Sequence, residues 1–207
     1  MDAAAWDQRY SGKDLVWSGS ANVFVEEIAG PMAPGRALDV AAGEGRNAVW
    51  LAERGWQVTA SDFSPVAIER TREIASTRLG DHADAVRAVV ADATEPAPAD
   101  PSGTGYDLVL FSYLQVPRES WSRALAHGVA AAAPGGFVLV VAHALRNLDE
   151  GTGGPQEPSV LHDPEDILAS AADLPVEVVS ARLRHRDVEG AERPALDSVV
   201  LFRRRPA

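Results

Sequence analysis

Ala37-Leu38-Asp39-Val40-Ala41-Ala42-Gly43-Glu44-Gly45-Arg46-Asn47 is the stretch that decides the fold. A short apolar run ends in a glycine-bearing turn, and helix-forming residues begin straight after it. That succession is a strand, a tight loop and a helix N-terminus, the place where an α/β sheet holds a nucleotide-like ligand. Gly43 to Ala48 also matches G-x-G-x-x-[GA], a dinucleotide-binding pattern. A glycine turn that merely permits tight strand-to-helix packing reads the same way.

Outward from this loop the chain alternates. Upstream, Ser20 to Ala29 reads as a short helix, capped by Ser20 or Asn22 and stopped at Gly30-Pro31. Pro34-Gly35 then turns into a strand over Arg36 to Val40. Downstream come a helix from Asn47 to Arg54 with Gly55 as its left-handed cap, and a strand from Gln57 to Ser61. Ser64-Pro65 opens the next helix, followed by strands over Val86 to Ala91 and Tyr106 to Phe111. A helix around Trp121 and Val129 leads through Gly135-Gly136 to a strand over Phe137 to Ala142.

These strands are nearly continuous apolar runs, which means burial on both faces and a mostly parallel sheet covered by helices. Beyond a last helix near His162 to Asp166, Val176 to Leu183 and Leu196 to Phe202 are strands joined only by a polar turn. Strands so joined must pair antiparallel. The expected fold is a Rossmann-like three-layer α/β sandwich with a mostly parallel seven-stranded sheet and an antiparallel C-terminal hairpin. One domain is expected over 1–207. Its parts are an N-terminal helical cap (1–35), a cofactor-binding core (36–142), and a substrate-side loop, helix and hairpin (143–207).

Composition narrows the function. The 207 residues carry a net charge of −11, which repels phosphate backbones and anionic membranes and excludes nucleic acid as a partner. There are no cysteines, so thiolate chemistry and cysteine metal sites are excluded and a reducing interior fits. Met1 to Asp7 lacks a signal-peptide pattern, and no run approaches the ~18 apolar residues of a membrane span. A soluble, cytoplasmic protein acting on a small molecule is the expectation.

Three acids distinguish among the ligands the loop could hold. Asp39 ends the first strand, where its charge disfavours a pyrophosphate and favours an ammonium. Asp62 ends the second strand, placed to accept bonds from ribose hydroxyls. Asp92 follows the third, where it can accept from an exocyclic amine. Each alone reads equally as a cap or a loop residue. Together they fit an adenosine with a cationic, amino-acid-like tail and no phosphates, the outline of S-adenosylmethionine.

On these residues the chain resembles the class I S-adenosylmethionine-dependent methyltransferases, whose first motif is an acid followed by G-x-G-x-G. Here that motif is Asp39 to Gly45, with Ala41 at the first glycine, a departure expected to narrow the loop slightly. Within that class it resembles the tellurite-resistance-type small methyltransferases, through Gly45-Arg46-Asn47 and Thr152-Gly153-Gly154-Pro155. The resemblance implies S-adenosylmethionine as cofactor. It implies contacts from Asp39, Ala41, Gly43, Gly45, Arg46, Phe63 and Ser112, with Asp62 on the ribose and Asp92 and Ala93 on adenine. It also gives Tyr10 and Trp17 a capping role, although with Trp6 they read equally as a core patch without helical period.

Methyl transfer needs alignment, exclusion of water and, for a weak nucleophile, a base. His143, just beyond the fifth strand, is the general-base candidate, or else an ordinary hydrogen-bonded histidine. His162 reads as part of a helix start, and His82, His127 and His185 as surface positions. A metal site from His143, Asp149 and His162 lacks ligand spacing. Arg203-Arg204-Arg205 reads as a solvated tail. Residues 1–20 and 144–162 are expected to lie over the strand ends and to close on the ligands. The competing readings are a nicotinamide-dependent oxidoreductase, against which Asp39 stands, and a non-catalytic protein that binds S-adenosylmethionine.

Overall fold

Alternate residues of the central strands enter two different cores. In the computed structural model, which describes residues 3–12 and 19–206 with side chains from Trp6 onward, β1 spans Arg36–Val40. Ala37 faces one apolar cluster, whereas Leu38 and Val40 face another. The same split runs through β4 (Tyr106–Ser112), β5 (Ala132–His143) and β7 (Ala195–Arg204). Leu108, Leu139 and Leu201 lie on one side, and Phe111, Val140 and Phe202 on the other. A period of two with both faces apolar is the physical meaning of the continuous runs in the sequence.

Helices cover both faces. On one side are α2 (Val23–Ala29), α3 (Arg46–Ala52) and α4 (Pro65–Leu79), and on the other α5 (Arg118–Ala131) and α6 (Pro164–Ser170). Asn22 is the residue that caps α2, accepting from the amide of Phe24 at 2.9 Å, and Ser64 caps α4. With β2 (Gln57–Asp62), β3 (Val86–Val90) and β6 (Val176–Arg186), the seven strands lie in the order β3-β2-β1-β4-β5-β7-β6. The expected seven-stranded, mostly parallel sheet is found. The hairpin is folded back into the sheet: β7 pairs antiparallel with both β5 and β6, so β7 alone runs against the rest.

Two expectations need correction. The N-terminal aromatic segment does contain a helix, α1 (Ala3–Tyr10), in which Trp6 and Tyr10 stack four residues apart with centroids 5.5 Å apart. Eight residues with mixed polarity show too little of the 3.6 period to be legible. Trp17 lies outside the described residues. Nor are Arg203 and Arg204 a solvated tail: they end β7. Arg203 Nε donates to the Gly135 carbonyl at 3.1 Å, and Arg204 donates to the Ala130 carbonyl at 2.9 Å and to that of Ala132. Carbonyls left open where α5 ends are thereby satisfied by a cation from a neighbouring strand.

Helix α5 approaches the sheet closely at Gly128, where an added Cβ would fall 2.5 Å from Phe111 Cζ. Gly128→Ala raises helix propensity by about 1 kcal/mol but overpacks the core by about 1–3 kcal/mol. We therefore expect a Tm lowered by a few degrees, read by calorimetry; a raised Tm would show that Phe111 moves aside freely.

Candidate active site

The loop after β1 is built on left-handed backbone. Ala41, Gly43 and Gly45 have φ of 55°, 56° and 76°. At Gly45 a Cβ would sit 2.5 Å from Thr71 Cγ2, so α4 leaves no room for any side chain there. Ala41 does carry a Cβ, and holding an L-residue in this region costs about 1–2 kcal/mol. Asp62 fixes the loop from β2, accepting from the Gly43 and Ser64 amides at 2.9 Å each. Burial pushes the Asp62 carboxyl up from the usual range, and those two amides offset only part of the shift.

Above the loop lies a cavity of about 330 Å³. Tyr10, Ala41, Gly43, Arg46, Asp62, Phe63, Asp92, Ala93 and Ser112, all expected at the cofactor, line it, together with Trp6. Helix α1 forms one wall and is tied to the start of α4 by a Ser64 hydroxyl bond to the Asp7 carboxylate. Asp92 is exposed and accepts from the Thr94 amide and hydroxyl at 2.8 Å. Gly45 is absent from the lining, and so is Asp39, which lies fully buried beneath the loop. Neither Asp39 oxygen completes a well-formed hydrogen bond among the described residues. Burial raises its pKa to about 7, and the Arg46 charge and the Ala48 amide pull it back only in part.

A second, wider cavity of about 820 Å³ adjoins the first, and Arg46, Tyr113 and Gln115 line both. Tyr113, immediately after β4, holds a φ of 60° and stands between them. Its hydroxyl donates to Asp197 Oδ2 at 2.8 Å and receives Arg186 Nε and Asn22 Nδ2 at 3.0 Å each. Asp197 comes from β7 and is completely buried, yet its pKa is lowered. Burial drives it up, but His143 and Arg186 more than offset this.

His143 lines the second cavity and stacks on Tyr113 with centroids 4.2 Å apart. Its Nδ1 lies 3.2 Å from Asp197 Oδ1, off the line of a well-formed hydrogen bond. Gly154 packs against the same ring: a Cβ there would meet Nδ1 at 3.1 Å. Asn147 holds this glycine segment in place, donating to the Gly153 carbonyl at 2.8 Å and accepting from the Leu196 amide at 2.7 Å. A buried carboxylate behind an imidazole is an arrangement that fixes a tautomer and supports proton removal by the other ring nitrogen.

The remaining candidates separate clearly. His162 lines neither cavity; it is buried, stacks on Trp121 at 5.2 Å, and burial lowers its pKa. His185 is exposed, as expected, but it borders the second cavity. No metal-binding group of acids and histidines occurs among the described residues, and none of their helices is long and apolar enough to cross a membrane. Arg186 and Asp197 went unread in the sequence, and Asn22 was read only as a helix cap. The signal for Asp197 was a lone carboxylate inside the apolar run of β7.

Residues 37–136 match the family model of a methyltransferase domain. That stretch, just under half of the chain, resembles a methyltransferase domain. It contains the loop and most of the first cavity. A probable non-canonical nonribosomal peptide synthetase, CymA, of Salinispora arenicola is 38% identical over 88 residues, 40% of this chain; the match spans 1% of the length of that curated relative. Among solved structures, a protein from the conversion of a disulfide bond into a thioacetal group during echinomycin biosynthesis superposes with a TM-score of 0.72. It is 22% identical, over 99% of this chain and 90% of that one. TehB from Haemophilus influenzae has a TM-score of 0.69 at 18% identity, over 97% of this chain and 66% of its own. Magnesium protoporphyrin IX methyltransferase from Synechocystis, solved with S-adenosylhomocysteine bound, has a TM-score of 0.69 at 16% identity, over 97% and 93%. At these identities the likeness establishes the fold alone, over nearly the whole chain.

Asp39 has a folded pKa of about 7 against an ordinary 3.8. The stability linked to its proton is fully present below the unfolded value and is lost as pH rises through about 7. Asp39→Asn, which mimics the protonated acid, should therefore raise Tm over the parent at about pH 8 and match it at about pH 4. Thermal unfolding across that window checks this, and a Tm difference independent of pH would refute it.

Proposed function

We propose that the chain transfers a methyl group from S-adenosylmethionine to a small-molecule acceptor by in-line displacement. The observation that carries this reading is the meeting of the two cavities at Arg46, Tyr113 and Gln115, the first of them seated on the glycine loop. The cofactor, when bound, supplies an electrophilic methyl on a sulfonium. The residues present fit it: left-handed backbone admits close approach, acids stand at the ends of the first two strands and just past the third, and no cationic phosphate cradle is needed.

In this reading Asp62 accepts the ribose hydroxyls on lone pairs that its two amide bonds leave open. Asp92 and Ala93 lie at the adenine edge, and Phe63 and Ser112 complete the wall. Asp39 places negative charge beneath the ammonium without touching it, and Arg46 closes the side toward the acceptor. Tyr10 and Trp6 on α1 keep water from the sulfonium. His143 removes the acceptor proton, and Asp197 positions its ring. The whole of 1–207 acts as one unit, with the part after 143 supplying the acceptor side. Two features support placement in the tellurite-resistance-type branch: Arg46 of the Gly-Arg-Asn motif and Gly154-Pro155 of the glycine segment both border the second cavity.

S-adenosylhomocysteine at about a hundredfold over Kd should add roughly 2.7 kcal/mol, a rise in Tm of about 5–10 °C. NAD and NADP should give none, and Asp62→Ala should remove most of the shift. A shift with NAD alone would replace the reading with that of a nicotinamide enzyme. With an acceptor in hand from a methylation screen, His143→Asn should lower kcat by about 10²–10⁴ while leaving the S-adenosylhomocysteine shift intact. An unchanged kcat would take His143 out of the proton path.

A further inference from the structure

We propose that the second cavity selects an anionic acceptor, whose carboxylate or phosphate is received by the Arg186 guanidinium beside His143. The inference rests on the methyl-transfer reading above. The chain as a whole carries a charge of −11, yet this cavity is lined by Arg9, Arg46, Arg184 and Arg186 against Glu27 and Asp187. Arginines gathered in one cleft of a strongly negative protein draw anions to that place.

Within the cavity the cations are not equivalent. Arg184 is matched bidentately to Glu27 at 3.0 and 2.9 Å. Arg186 uses only Nε, toward Asp197 Oδ2 at 2.7 Å and the Tyr113 hydroxyl at 3.0 Å. Its two terminal nitrogens make no hydrogen bond among the described residues, and its side chain is 27% exposed at the cavity. A planar pair of donors so held suits the two oxygens of a carboxylate or phosphate. A neutral isostere would leave those donors unpaired once water was expelled, and a cationic one would be repelled as well.

The geometry also says what the rest of the acceptor looks like. Arg186 and His143 flank the two oxygens of one carboxylate, Asp197. The anionic group and the atom that gives up its proton are therefore a short covalent linkage apart in the acceptor. Val23, 49% exposed, gives the wall an apolar stretch, which fits a hydrocarbon or aromatic body.

The test titrates benzoate, benzamide and phenyl phosphate into the full chain by calorimetry, with and without S-adenosylhomocysteine. Benzoate should bind at millimolar level, with benzamide about tenfold weaker or undetectable. Phenyl phosphate tighter than benzoate assigns the head group as phosphate, and the reverse as carboxylate. Arg186→Gln should weaken the anion by about tenfold with S-adenosylhomocysteine affinity unchanged. Glu27→Gln frees Arg184 and should tighten benzoate by about two- to threefold; it lies on the surface and carries the test should Arg186→Gln fail to fold. Equal binding of benzoate and benzamide, no binding of either anion, or benzoate affinity untouched by these variants would overturn the proposal. Failure of S-adenosylhomocysteine to bind would overturn the methyl-transfer reading instead, since the titrations without it report the anion site separately.

Discussion

A completely buried carboxylate must be matched or neutralised, and Asp197 is matched from three sides. Tyr113 reaches it from the end of β4, His143 from the end of β5 and Arg186 from β6. Through the Tyr113 hydroxyl the set extends to Asn22, the cap of α2, whose own amide donates to Asn47 in α3. One charge on the antiparallel strand thus fixes the relative positions of the elements that enclose the second cavity. Removing a partner from such a set costs far more than the pair contributes net, because the remaining charge stays buried.

The division of labour between the cavities follows from the backbone as much as from side chains. Among the described residues Ala41 and Tyr113 are the non-glycine residues with positive φ, one on the loop beneath the first cavity and one on the partition between the two. Strain of about 1–3 kcal/mol at such positions persists only where the surroundings over-determine it. For Tyr113 the determinants are visible: three hydrogen bonds to its hydroxyl and a histidine stacked on its ring. The ring is therefore a fixed wall, and the passage between the cavities has a set shape before any ligand arrives.

The sequence carried the fold at the places where periodicity is long or punctuation is strong. The two-faced strands, the Ser64-Pro65 helix start and the antiparallel pairing of β6 and β7 were legible because local physics leaves few alternatives. Helix α1 was not, being short and amphiphilic without a clean stripe. The first cavity was legible because its residues sit at the C-terminal ends of consecutive strands, close to one another in sequence. The second cavity was half-legible: His143 was singled out from its place after a strand, but its partners lie 11 to 175 residues from one another or from it. Asp39 shows a different limit. Its sequence position marks it as important to the loop, but only the structure places it under the floor, where burial raises its pKa.

The position of β7 bears on how the molecule is made. On a ribosome the chain emerges in order, and β6 has no strand to pair with until β7, synthesised after it, has docked on β5. The parallel half, β1 to β5, can assemble early with its glycine loop in place. Its β5 edge, a row of buried aliphatic residues from Val138 to Ala142, then stays bare until Ala195–Arg204 arrives. Completion of the sheet and arrival of Asp197 are one event, so a chain that stalls short of it would already have its glycine loop and would still lack the wall that holds Tyr113, His143 and Arg186 together.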